Sequence, residues 1–119
     1  MIHWESHACL PLHPQASFEP IEQLRAAGVH YVSINVGMDM NPLSQVMSVL
    51  AGFRASIAAR PDRYLLAGSV ADIRRAQAGG QIAIGFDLEG AMPLLEQPDM
   101  VALYAALGRS EERRVGKEC

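Results

Sequence analysis

The segment Ile82-Ala-Ile-Gly-Phe-Asp-Leu-Glu89 constrains this chain more than any other. Bulky Ile82, Ile84, Phe86 and Leu88 alternate with Ala83, Gly85, Asp87 and Glu89. Side chains alternate across a strand, so one face is large and apolar while the other runs small, small, acid, acid. A parallel barrel strand has that character: bulk outward against helices, small residues in the crowded interior, and polar groups at the carboxyl end. The segment predicts a strand of this kind, with Glu89 at the end where such barrels build their sites.

The rest of the chain supplies matching elements. A short strand is expected over Ile2–Glu5, followed by a loop, His7–Ser17, broken by Pro11 and Pro14. A helix then runs from Pro20 to a stop at Gly28. Alternating Val32, Ile34 and Val36 predict a strand from His30 to Val36. Asn41-Pro42 reads as the cap and first turn of a long helix, Leu43 to Ala59, with Val46, Leu50, Phe53 and Ile57 on one side. Tyr64-Leu65-Leu66 is a short extended piece. Ser69-x-x-Asp72 resembles a capping box opening a helix to Ala78, which Gly79-Gly80 ends. A last helix is expected over Met100–Leu107. Strands alternating with helices predict an α/β fold with a parallel sheet, and the pattern fits the amino-terminal portion of a (β/α)8 TIM-type barrel.

Composition narrows the classes. Half of the 119 residues are apolar and the formal charge is −3, so there is no basic footprint for nucleic acid. The apolar runs are too short for a membrane span, and Met-Ile-His-Trp-Glu resembles no signal peptide. Two cysteines, Cys9 and Cys119, make no disulfide framework, and a cytoplasmic setting is expected. The only lysine is Lys117, and residues 1–108 use arginine instead. Back-translated, the tail from Arg109 to Cys119 resembles a sequencing-library adapter. Residues 1–108 are therefore read as the native part and 109–119 as a non-native tail, in which Cys119 carries no functional weight.

Three side chains matter most for metal-ligand chemistry. Zinc accepts imidazole nitrogen, thiolate sulfur and carboxylate oxygen, which makes His7, Cys9 and Glu89 competent donors. His7 and Cys9 sit at i and i+2, on one face if the backbone is extended. Taken singly, each has a plainer reading: a loop histidine, a buried thiol, a strand-end carboxylate. Asp87 shares the face of Glu89, and orienting a ligand or forming a buried ion pair fits it equally. Asn35, closing the second strand, either faces the barrel mouth or caps the strand end.

His7-Ala-Cys-Leu-Pro11 resembles the His-x-Asp-Leu-Pro opening of the membrane (renal) dipeptidase family of metallopeptidases. Gly85-Phe-Asp-Leu-Glu89-Gly90 is similar to that family's Gly-x-x-(Val/Leu)-Glu-Gly motif on barrel strand three. Leu24-Arg-Ala-Ala-Gly28-Val29, Ala59-Arg-Pro61-Asp62 and Ala71-Asp-Ile-Arg-Arg-Ala76 lie where the family has similar segments. The resemblance spans residues 3–108 and stops where the family's fourth strand would follow.

It implies a zinc-dependent dipeptidase, with two divalent ions in the complete enzyme and a metal-bridging hydroxide that attacks short peptides. His7 would be a ligand of the first metal, Glu89 the bridging carboxylate, and Cys9 would stand where the family has Asp. The remaining ligands would lie on later strands, so this chain corresponds to a fragment. The expected partner is a dipeptide-like small molecule, and homo-oligomerisation of the parent is left open. The Cys9 replacement keeps a second reading in view: a non-catalytic metal-binding or structural barrel of the same descent. A third, an unrelated parallel α/β module, requires that His7, Cys9 and Glu89 fail to converge.

Overall fold

The computed structural model describes residues 1–89 and 97–113. Within them the order is β1 (Trp4–Ala8), α1 (Glu19–Ala26), β2 (Tyr31–Met38), α2 (Leu43–Ala59), β3 (Tyr64–Leu66), α3 (Val70–Gly79), β4 (Ile82–Glu89), α4 (Asp99–Ala106) and β5 (Arg109–Arg113). Every strand pairing is parallel. Gly90 and residues 114–119 of the segments singled out above lie outside the described residues.

The sheet runs β1-β2-β4-β3, with β5 also on β4. The Glu89 strand is thus fourth in sequence but third in space. Its outer edge is divided, because Ile82–Ile84 pair with β3 and Phe86–Glu89 pair with β5. Gly108 makes the turn from α4 into β5 at φ +110°, a conformation that favours glycine.

The bulky face of β4 behaves as the alternation predicts. Ile82, Ile84, Phe86 and Leu88 are buried in one cluster with Val32, Ile34 and Val36 of β2 and with Val46, Leu50, Phe53 and Ile57 of α2. The rings of Phe53 and Phe86 lie 6.4 Å apart, and Phe18 meets Phe53 edge-on at 5.7 Å. The small-residue face departs from the expectation of an interior free of helices. Ile73 and Ala76 of α3 pack there against Tyr31 and Ala83, at the amino end of the strands. The chain moves outward from β2 to β3 and then back to β4. A right-handed crossover that reverses direction must use the opposite face of the sheet. The carboxyl end of that face is left to Ser33, Asn35, Asp87 and Glu89, all buried.

Local expectations hold in part. Ser69 caps α3 by accepting the Asp72 N–H, while Asp72 reaches back to the Gly68 N–H, and Gly80 closes the helix at φ +72°. The long helix keeps its expected bounds, but its cap position is Pro42 with no side-chain cap. Asn41 instead accepts the Met38 N–H at 2.7 Å and so ties off the end of β2. The first strand lies further along than Ile2–Glu5 and takes in His7.

Candidate functional site

Two strand irregularities build the polar cluster. In β1 the register advances from Glu5↔Val32 to Ala8↔Ile34, three residues against two. Without that bulge His7 would face α2. With it, Ala8 packs into the α2-facing cluster and His7 turns to the side of Ser33 and Asn35. In β2 the register goes from Asn35↔Asp87 to Gly37↔Leu88, so Val36 is the extra residue. Val36 and Gly37 both turn toward α2, where a Cβ on Gly37 would lie 2.6 Å from Val46 Cγ2. Bulges that re-aim side chains recur beside functional sites.

The structure brings together His7, Asp87, Glu89, Ser33 and Asn35. His7 Nδ1 lies 3.1 Å from Asp87 Oδ2, and His7 Nε2 lies 3.6 Å from Glu89 Oε1. Ser33 Oγ donates to Asp87 Oδ2 at 2.7 Å, and Asn35 Nδ2 donates to Asp87 Oδ1 at 3.4 Å. The second Asn35 bond goes to the Gly37 carbonyl at 3.2 Å. Both Asn35 partners only accept, so the amide nitrogen is placed by them and Oδ1 is turned away. Asn35 Oδ1 and Glu89 Oε1 are buried with no hydrogen-bond partner among the described residues. A buried polar atom in that state costs about 1–3 kcal/mol. Two carboxylates face one imidazole here, and among the described residues the ion pairs of both are to His7.

Cys9 stands differently. Its Sγ is 3.4 Å from His7 Nε2, and the residue is exposed. Of the expected set, Cys9 Sγ and Glu89 Oε1 thus both lie close to His7 Nε2, at 3.4 and 3.6 Å. Among the described residues no group of three or more His, Cys, Asp or Glu is arranged to hold a metal ion. Cys119 lies outside the described residues. No helix among them is long and apolar enough to cross a membrane.

Sequence reading missed Ser33, whose hydroxyl makes the shortest bond in the cluster. The one available signal was a polar residue in the middle of an otherwise apolar buried strand, two positions before Asn35. It also missed both bulges. Gly37 inside a strand pattern was a usable sign of the second, while Glu5–Ala8 carries no sign of the first.

No protein-family model matches the chain, and no curated protein matches it. Among solved structures, an amidohydrolase from Pseudomonas aeruginosa superposes with a TM-score of 0.82 at 19% identity. The match covers 96% of this chain and 34% of that one, so the chain spans about a third of the length of the protein it resembles. The likeness is one of fold: parallel strands alternating with helices, as in part of an amidohydrolase barrel.

Proposed function

We propose that this chain is part of a metal-dependent hydrolase barrel whose His7 and Glu89 hold a divalent ion, zinc for preference, and whose substrate is a dipeptide or similar small amide. The observation that carries this reading is the 3.6 Å gap between His7 Nε2 and the buried Glu89 Oε1, which has no hydrogen-bond partner among the described residues. Two donors on one tetrahedral zinc lie roughly 3.3–3.6 Å apart, given bonds of about 2.0–2.2 Å. An ion between these atoms would satisfy a carboxylate oxygen to which no described residue donates. His7 and Glu89 thus fit the group, whereas Cys9 fits it only as a reduced thiol. Further His, Cys, Asp or Glu donors would have to come from outside the described residues.

Such an ion supplies Lewis acidity toward a carbonyl and lowers the pKa of a bound water. The chain's own part is to hold it. His7 and Glu89 approach from β1 and β4 across the carboxyl end of β2, where the carboxylates of Asp87 and Glu89 favour a cation. Isothermal titration of zinc into the reduced chain tests the reading. Zinc should bind, and Glu89→Gln should weaken binding at least about tenfold; equal affinity of the two proteins would refute it.

A second reading, a non-catalytic metal-binding or structural barrel, is favoured by Cys9 standing where the resembled family has Asp. Dipeptide turnover by the complete protein separates the two. Zinc binding without turnover selects the second.

A further inference from the structure

We infer that Asn35 is a third protein donor to the ion proposed between His7 and Glu89, offering its neutral amide oxygen Oδ1. The inference rests on that reading for the ion, and on the fold around Asn35 for the donor.

Asn35 belongs to the strand that the other two donors meet across. β2 lies between β1 and β4 in the sheet. The His7 ring reaches from β1 to Asp87 Oδ2 and toward Glu89 Oε1 on β4, so it spans β2 on the face that carries Ser33 and Asn35. Asn35 stands opposite Asp87 in the register, and Glu89 follows Asp87 by two residues on the same face. Beyond Asn35 the β2 bulge turns Val36 and Gly37 toward α2. Neither of them puts a side chain beside Asn35 at the carboxyl end of that face.

The Asn35 amide is held in one orientation. Nδ2 donates to the Gly37 carbonyl at 3.2 Å and to Asp87 Oδ1 at 3.4 Å. Turning the amide over would set its oxygen against two atoms that only accept. Asn35 is 1% exposed, and its Oδ1 has no hydrogen-bond partner among the described residues. Glu89 Oε1, on the neighbouring strand, is in the same condition. Buried polar atoms of native proteins are nearly always satisfied, and two bare acceptors on one face call for a group that offers positive charge to both. The carboxylates of Asp87 and Glu89 favour a cation as that group. An amide oxygen is a competent ligand of divalent ions, and unlike a further carboxylate it adds no charge beside Asp87 and Glu89. With His7 and Glu89 it makes three donors from three neighbouring strands, the number that leaves a tetrahedral zinc ion one open position.

Zinc titration of the reduced, 13C- and 15N-labelled chain, followed by side-chain NMR and calorimetry, tests this. On saturation the Asn35 13Cγ signal should move downfield, because ligation through Oδ1 draws electron density from the amide carbon. Asn35→Ala removes the oxygen together with the N–H groups and should weaken zinc binding at least about tenfold. Asn35→Asp keeps an oxygen and loses only the N–H groups, so it should bind zinc at least as tightly as the parent. A residue that merely held Asp87 through Nδ2 would lose affinity in both variants, and that result would overturn the inference. So would zinc binding by the unmutated chain with the Asn35 13Cγ signal unmoved, whether or not the variants fold. Both of those results leave the His7–Glu89 site standing. Absence of zinc binding by the unmutated chain would refute that site, and the inference with it.

Discussion

Replacing Gly52 with alanine sets two effects of opposite sign against each other. Gly52 lies inside α2, and in a helix interior alanine is favoured over glycine by about 1 kcal/mol. An isolated α2 would therefore gain from the change. In the folded chain, a Cβ on Gly52 would lie 2.2 Å from the Pro14 carbonyl oxygen, 2.5 Å from its Cα and 2.7 Å from its carbonyl carbon. Real Cβ contacts do not fall below 3.0 Å, so helix and loop must separate by nearly an ångström. The obstacle is backbone, which no rotamer change can relieve. Overpacking of this kind costs about 1–3 kcal/mol, and occasionally more. Backbone against backbone puts this case in the upper part of that range, about 2–3 kcal/mol, and subtracting the helix gain of about 1 kcal/mol leaves a net loss of roughly 1–2 kcal/mol, or a melting point lower by several degrees at this chain length. Urea denaturation should show a lower midpoint at unchanged slope. An unchanged or raised midpoint would mean that the Pro14 loop yields freely and that its contact with α2 does not hold it.

Other perturbations probe separate parts of the structure. Phe53→Ala removes a fully buried ring that meets both Phe18 and Phe86, and chemical denaturation should record a loss of about 3–5 kcal/mol. The Gly68 N–H bound to Asp72 holds that carboxyl below its ordinary range, with Arg75 assisting. A lowered carboxylate stabilises the fold above its unfolded pKa and loses that contribution as pH falls through the folded one. Asp72→Ala should therefore be less stable than the parent at neutral pH, and the two melting curves should converge in acid. Glu89→Gln removes a buried charge to which no described residue donates, so without metal the variant should be more stable by about 1 kcal/mol in thermal melts, although it loses zinc.

The sequence was legible where one residue's environment is set by its near neighbours along the chain. The alternation of Ile82–Glu89 carried both the strand and its buried acids, and the spacing of Val46, Leu50, Phe53 and Ile57 carried α2. Ser69, Asp72 and Gly80 mark the ends of α3 through bonds spanning a few residues. What escaped depends on pairing between distant segments. Nothing in Trp-Glu-Ser-His-Ala announces that an extra residue will be accommodated opposite Val32 and Ile34, yet that bulge decides where His7 points. Nor do the bounds of β3 announce that it will pair beyond β4 and send α3 to the other face. Arg109–Arg113 lacks the alternation and the β-branched residues of a strand, and its pairing with β4 engages the backbone ladder, which any extended sequence offers. Asn41 was read as a helix cap because Asn before Pro is a helix-start signal; its side chain found a closer donor in the Met38 amide.

The span of the polar cluster also bears on how the chain folds. His7 and Asp87 are 80 residues apart, and Ser33 and Asp87 are 54 apart. The turns that begin α2 and α3 close within a few residues, whereas these pairs require long loops to close first. The cluster is therefore assembled late, after β2 and β4 have paired and β1 has joined them. A ligand held between β1 and β4 has no partial version of its site to bind on the way. Its binding free energy falls on the native side of the folding barrier, so it should slow unfolding while leaving the folding rate almost unchanged.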